Sequence, residues 1–138
     1  FGVTPKVAML SFSNFGTSNE LRTDRIEEAI AMARELDRGL VIDGPMQADT
    51  ALVPDRQNEF PFMEFEGPAN VLVCPNLASA NIAYKLLQRV AGAEMTGPIL
   101  EGLSKPAHVL QRGDSVRQVV HMAAITAVDA QRHARQRL

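Results

Sequence analysis

Short apolar runs recur along this chain, and each of them stops at a polar or turn-forming residue. Such runs predict buried β-strands. The predicted strands are Lys6–Ser11, Leu40–Gly44, Ala69–Cys74 and two shorter segments around Ile99 and Val109. The first strand is followed by the polar loop Ser13–Ser18, as expected where a buried strand turns toward a helix.

Between these runs, apolar residues recur at spacings of three and four, which is the period of an amphipathic helix. The predicted helices are residues 19–36, a short helix Gln47–Leu52 ended by Pro54, Leu77–Val90, and a long helix from Ser115 onward. Ser115-x-x-Gln118 has the pattern of a capping box. Residues 55–67 show no clear period and are predicted to be irregular. The alternation of strands and helices predicts an α/β fold, with a mostly parallel sheet flanked by helices in three α/β/α layers.

Length and composition are those of one ordinary globular domain, predicted to span residues 1–138. The net charge of −2 and the dispersed basic residues give no surface for a nucleic acid or an anionic membrane, so neither partner is expected. No apolar stretch approaches the ~20 residues of a membrane span. Cys74 is the single cysteine, which excludes an internal disulfide and favours a cytoplasmic location. The start at Phe1 leads us to expect that an N-terminal part is missing.

Ligands of parallel sheets bind beyond the carboxyl ends of the strands. The loop with Ser13, Asn14, Gly16 and Thr17 could therefore hold an anion through hydroxyl and backbone N–H groups, although it lacks the lysine and glycine spacing of a P-loop. The alternative is an ordinary turn whose hydroxyls cap the next helix. The loop at Gly97-Pro98 is a further candidate on the same argument.

Arg89 and Arg112 are candidate anion ligands, because a guanidinium group binds phosphate in a bidentate manner. Arg89 ends a predicted helix, where surface solvation or compensation of the helix dipole by a cation is the favoured interpretation. For Arg112, which follows a predicted strand, both interpretations stay open.

No metal site is predicted. Asp43, Asp49 and Asp55 could offer oxygen ligands together with Gln47, but their spacing matches no metal motif and is typical of turn caps. The chain's histidines lack zinc-site spacing, and Cys74 has no neighbouring ligand in sequence. A Cys–His nucleophilic pair stays open, although no pattern indicates one.

Longer blocks of sequence resemble the phosphate acetyltransferase family in order along the chain, from about Pro5 to Gln131. The blocks are Ala8–Gly16, Asp43–Asp49, Ala69–Val73, Asn81–Arg89 and Lys105–Gly113. The resemblance implies two α/β subdomains with a cleft between them, a dimer, and transfer of an acetyl group between CoA and phosphate. This chain is similar to the second subdomain and the closing C-terminal segment.

The chain departs from the family at two positions. The family's Ser-Arg pair is Gln111-Arg112 here, and the family's aspartate, held to act as the base toward the CoA thiol, is Gln118. A carboxamide does not accept a proton at neutral pH, and general-base catalysis is worth ~10²–10⁴-fold in rate. We therefore predict no catalytic residue but retained binding of a CoA ester. The residues expected to bind it are Ser13, Asn14, Gly16, Thr17, Arg89, Gly97, Pro98 and Arg112.

Three segments resemble most closely the C-terminal part of bacterial NADP-dependent malic enzymes. They are Ser11–Gly16, Phe60–Phe62 and Met122–Gln131. This resemblance implies a regulatory domain with acetyl-CoA as its effector, a homodimer through this domain, and NADP and a divalent metal only in an absent catalytic half. An active phosphate acetyltransferase and a purely structural oligomerisation domain are the alternatives.

Overall fold

The computed structural model describes residues 2–16 and 24–135. The chain divides into two compact units, residues 1–84 and 85–138.

The first unit contains a parallel sheet of three strands in the order β2-β1-β3. The strands are β1 (Lys6–Leu10), β2 (Val41–Met46) and β3 (Val71–Val73). Val7 is paired with Ile42 on one side and with Val71 on the other, and the register of β1 and β2 shifts between Ala8 and Leu10. The parallel sheet flanked by helices that the sequence predicts is thus confirmed.

Alternate residues of β1 point to opposite faces of the sheet, as the pleat requires. Val7 and Ile42 pack with Ile30 of helix α1 (Asp24–Leu36). Ala8 packs on the other face in a cluster with Met46, Ala51, Phe65 and Ala69. The apolar stripe predicted for this helix is confirmed for Ile26, Ile30 and Ala33. Its last member, Leu36, is 89% exposed, and the predicted first turns at 19–23 lie outside the described residues.

Two short helices follow β2, namely α2 (Ala48–Leu52) and α3 (Pro54–Gln57). The prediction of an irregular stretch from residue 55 is wrong for α3. Pro54 occupies the first turn of that helix, where its missing N–H costs nothing and its fixed φ suits the helix. The stretch after α3 is irregular but ordered, because Gln57 is buried and donates hydrogen bonds to the carbonyls of Gly67 and Ala51.

The predicted helix at Leu77–Val90 is confirmed as α4, which begins in the first unit and ends in the second. The predicted C-terminal helix is confirmed as α5 (Val116–Arg135). The strands predicted around Ile99 and Val109 are wrong, since no strand is assigned in the described segment 91–115. The Leu100 N–H donates to Nδ1 of His108, so a side chain takes a donor that a strand would offer to its neighbour. In the part of the chain that is described, no helix has both the length and the apolar character for crossing a membrane.

Candidate ligand-binding site

A cleft of about 940 Å³ lies in the first unit at the carboxyl ends of the three strands. Its lining draws residues from the end of each strand and from the start of α1, including Ser11, Phe12, Arg25, Ala48, Cys74 and Asn76. Parallel α/β sheets bind ligands at this edge. The position of the cleft therefore agrees with the edge at which the sequence places its candidate loops.

The loop after β1, residues 11–16, is fastened to the end of β2 by backbone hydrogen bonds. The Ser11 N–H donates to the Met46 carbonyl at 2.8 Å, and the Phe15 N–H donates to the Pro45 carbonyl at 2.7 Å. The loop therefore continues along β2 after the regular ladder has ended.

Side chains of Asn14 and Gln47 add a second set of hydrogen bonds between these two segments. The Gln47 backbone N–H donates to Asn14 Oδ1 at 2.7 Å, and Gln47 Nε2 donates to the Phe12 carbonyl at 2.6 Å. Asn14 Nδ2 donates more weakly to Gln47 Oε1, at 3.4 Å. Both polar atoms of the Asn14 side chain thus face Gln47. A direct contact of Asn14 with a ligand stays a prediction.

Phe15 adopts a backbone conformation that is rare for a residue with a side chain. Its φ is +43°, in the left-handed region that costs L-residues roughly 1–2 kcal/mol. The ring lies 5.1 Å from that of Phe60 and 4.9 Å from that of Phe62 between centroids, distances typical of favourable aromatic pairs. These contacts offset the backbone strain.

The other predicted members of this loop occupy different environments. Ser13 is buried, Gly16 is exposed with φ +74°, and Thr17 lies outside the described residues. Arg25, in the first turn of α1, lines the cleft and was not among the predicted residues. In the sequence, only the position of Arg25 directly before Ile26, the first described apolar residue of the α1 stripe, could have indicated that it lies near the cleft.

In the second unit, a tight turn presents Arg112. The Gln111 N–H donates to Asp114 Oδ2 at 2.7 Å, the Asp114 N–H donates to the Gln111 carbonyl at 3.1 Å, and Lys85 Nζ donates to Gln111 Oε1 at 3.3 Å. Arg112 is exposed between them, and it makes no hydrogen bond or ion pair with any described residue. Its guanidinium group is available to an anion.

Gln118 is held at the start of α5 by the predicted capping box, which is confirmed. Its Oε1 accepts from the Ser115 N–H at 2.8 Å and from the Ser115 hydroxyl at 2.9 Å, and the Gln118 N–H donates to Ser115 Oγ at 3.3 Å. Gln118 Nε2 donates to the Met95 carbonyl at 3.3 Å. Gln118 also lines a smaller cleft of about 210 Å³ with Thr96 and His121. Both ends of the carboxamide are thus used in holding the fold.

The remaining predicted site residues also belong to the second unit. Gly97, with φ +147°, and Pro98 follow Met95 closely and are joined by a cis peptide bond. Arg89 is exposed in the last turn of α4 and, within the described residues, makes no hydrogen bond or ion pair. The eight predicted residues are therefore divided between the two units, with Ser13, Asn14, Gly16 and Thr17 in the first unit's range.

In the second unit, a buried imidazole lies near an aspartate that also contacts a second histidine. The His108 side chain is 1% exposed, and its Nε2 lies 3.6 Å from Asp129 Oδ2, too far for a hydrogen bond. Asp129 Oδ1 lies 3.1 Å from Nδ1 of the partly exposed His133. Asp129 thus faces two histidines.

Two of the three aspartates considered as metal ligands, Asp43 and Asp49, have structural partners. Asp43 accepts the Gly44 N–H with Oδ1 and the Glu64 N–H with Oδ2. Asp49 accepts the Thr50 N–H and lies 3.7 Å from the Arg56 guanidinium. Within residues 2–16 and 24–135, no group of three or more His, Cys, Asp or Glu side chains is arranged to hold a metal ion.

The sequence and the fold both match known proteins. The family model described as Phosphate acetyl/butaryl transferase matches residues 1–127. The NADP-dependent malic enzyme of Salmonella typhimurium is 47% identical over 134 residues, which are 95% of this chain and 18% of that enzyme. The phosphate acetyltransferase of Acetivibrio thermocellus is 45% identical over 131 residues, which are 94% of this chain and 40% of that protein.

Among solved structures, the EutD phosphotransacetylase from Staphylococcus aureus matches with a TM-score of 0.85 and 40% identity, over 94% of this chain and 41% of that one. The chain thus spans less than half the length of each of these relatives. The resemblance predicted from the sequence blocks is confirmed, and malic enzymes and phosphotransacetylases match to a similar degree. On the family match and the shared fold together, the chain belongs to the phosphate acetyl/butaryl transferase family.

Proposed function

We propose that the chain is a regulatory module that binds acetyl-CoA, forms a homodimer and controls an NADP-dependent malic enzyme, without catalysing a reaction itself. The observation that carries the proposal is the state of Gln118. The resemblance places the family's base at this position, and here a carboxamide is bonded on both sides to Ser115 and Met95.

The bonding of Gln118 argues against acetyl transfer at this position. Its Oε1 already accepts two hydrogen bonds, and its Nε2 already donates one. A carboxamide in this arrangement has no basic lone pair for a thiol proton, and loss of a general base costs about 10²–10⁴-fold in rate. Gln118 thus stabilises the start of α5 at the position where the resemblance implies a general base.

The arginines support retained binding of a CoA ester. Such an ester carries a diphosphate and a sugar phosphate, which guanidinium groups bind with charge-assisted hydrogen bonds. Arg112 and Arg89 are exposed and make no ion pair with the described residues, and Arg25 lines the larger cleft. The arginine side chains in each unit can therefore donate hydrogen bonds to an anionic ligand. Ser13, Asn14 and Gly16 are the further candidate ligands in the first unit, and Gly97 and Pro98 are those in the second unit.

Regulation requires that acetyl-CoA bind one arrangement of the assembly more tightly than another, since equal affinities shift no equilibrium. The malic enzymes of Salmonella typhimurium and Escherichia coli match at 47% and 44% identity, and this chain corresponds to 18% of each. In the proposed assembly, the remaining length would contain the malate site with its NADP and divalent metal. Acetyl-CoA would act as an inhibitor bound at a distance from that site.

Titration calorimetry of the intact protein with acetyl-CoA tests the proposal. We expect binding that weakens by about 10- to 100-fold in Arg112→Ala, the range for losing a hydrogen bond between charged groups. Arg132→Ala is the matched control, because it removes the same charge from the far end of α5. Absence of binding at millimolar acetyl-CoA would refute the proposal, as would equal affinities of the two variants. Reduction of NADP by malate should also slow when acetyl-CoA is added.

The second candidate is an active phosphate acetyltransferase. It is favoured by the phosphate acetyltransferase of Acetivibrio thermocellus, whose 45% identity almost equals that of the malic enzymes. Formation of acetyl phosphate from acetyl-CoA and phosphate by the intact protein would establish it. We expect none above the uncatalysed background.

A further inference from the structure

Gln47 directly follows strand β2 and directly precedes Ala48 of the cleft lining. It is the N-cap residue of α2, yet its side chain makes no capping hydrogen bond to that helix. The side chain reaches back to the loop after β1, where Nε2 donates to the Phe12 carbonyl at 2.6 Å. Residues at this place more often use a short side chain to cap their helix. Gln47 instead gives its hydrogen-bonding capacity to the loop.

The residues on either side of these contacts form the wall of the cleft. Phe12, whose carbonyl accepts from Gln47, lines the cleft, and so does Ala48, which follows Gln47 in sequence. Phe12 is 54% exposed, so apolar packing holds it only in part. The hydrogen bond from Gln47 therefore fixes the position of a wall that burial alone would leave loosely held.

We propose that Gln47 is the positioning residue of the cleft, and that its carboxamide holds loop 11–16 in the conformation that binds a CoA ester. This inference rests on the proposed function, and it assigns to Gln47 a role without ligand contact. Binding to a preformed loop avoids the cost of ordering it, so loss of the carboxamide lowers affinity through the loop.

Asn14 supports the same loop by a contact that does not need the Gln47 carboxamide. Its Oδ1 accepts the Gln47 backbone N–H at 2.7 Å, whereas only the weaker bond from its Nδ2, at 3.4 Å, reaches Gln47 Oε1. The stronger bond therefore survives removal of that carboxamide.

The test uses Gln47→Met in the intact protein, because methionine keeps the length of the side chain, removes both polar atoms and adds no charge. Gln57→Met is the matched control. Gln57 also donates to backbone carbonyls, but those belong to Gly67 and Ala51, which do not line the cleft, whereas Phe12 does. Both variants should lose stability toward urea. Only Gln47→Met should lose affinity for acetyl-CoA, by on the order of tenfold.

Hydrogen exchange separates this inference from the proposed function. In Gln47→Met, the Ser11 and Phe15 amides should exchange about tenfold faster without ligand, relative to Gln57→Met. If the wild type binds no acetyl-CoA, the proposed function fails, while these exchange rates still decide whether Gln47 holds the loop. Unchanged exchange, or equal affinities of wild type and Gln47→Met, overturns the role of Gln47.

Asn14→Ala tests this backbone contact. It should speed exchange of the Ser11 and Phe15 amides in the wild-type background and again in Gln47→Met, because the bond to the backbone N–H of residue 47 is present in both. Unchanged exchange in both backgrounds would overturn the role of Asn14 in holding the loop.

Discussion

Gly44 in β2 is the position where a single added methyl group should damage the sheet most. A Cβ there would lie 2.6 Å from the Met9 carbonyl oxygen and 3.0 Å from Met9 Cβ, closer than real Cβ atoms approach such neighbours. The φ of Gly44 is +138°, which residues with a Cβ rarely adopt. Gly44→Ala therefore adds steric overlap to backbone strain.

The expected loss can be worked out from these two contributions. Strained backbone costs about 1–3 kcal/mol, and overpacking against neighbours that cannot move freely costs about 1–3 kcal/mol. Met9 belongs to the central strand β1, which is paired on both sides, so its carbonyl cannot withdraw without breaking ladder contacts. We expect Gly44→Ala to lower the free energy of unfolding by about 2–6 kcal/mol, a large part of the 5–15 kcal/mol typical of a domain.

Urea unfolding followed by circular dichroism measures this loss, with Gly67→Ala as the control. Gly67 also has a positive φ, of +75°, but its added Cβ would meet only Lys6 Nζ, at 3.7 Å. The control therefore reports strain of roughly 1–2 kcal/mol without overlap. Equal losses for the two variants would refute the argument from close approach, and a loss below about 1 kcal/mol for Gly44→Ala would refute the strain as well.

Two further predictions concern the second unit. Ser115→Ala removes the capping box of α5 and should cost about 1 kcal/mol in urea unfolding, whereas Ser115→Thr keeps the hydroxyl and should stay near wild type; equal losses would contradict the capping role. Asp129→Ala removes the carboxylate that faces both histidines and should cost about 0.5–1.5 kcal/mol, while His133→Ala, which keeps the carboxylate facing His108, should cost less. A larger loss of unfolding free energy in His133→Ala than in Asp129→Ala would contradict this prediction.

The spacing of apolar residues was sufficient to predict the helices that have an apolar stripe and a recognisable first turn. The ends of α4 and the start of α5 agree with the predicted ones, and the side chains of Asn76 and Ser115 bind the first turns of these helices. Pro54 shows the limit of this reasoning. Proline ends one helix and suits the first turn of the next equally well, and only the structure decides that α3 follows it directly.

Hydrogen bonds between residues far apart in the sequence could not be predicted from the pattern of apolar and polar positions. Gln47 and Asn14 are 33 residues apart, and neither residue type indicates that the two form a hydrogen bond. The same holds for His108, whose Nδ1 takes the Leu100 N–H where the sequence predicts a strand. Apolar runs indicate that a segment is extended and partly buried, but a strand also needs a neighbour with free backbone groups.

The bond from Gln118 to Met95 makes this position specific for a carboxamide. An aspartate here could still accept from Ser115, but it has no N–H to donate to the Met95 carbonyl. A carboxylate at position 118 would thus lose the hydrogen bond between α5 and the preceding loop.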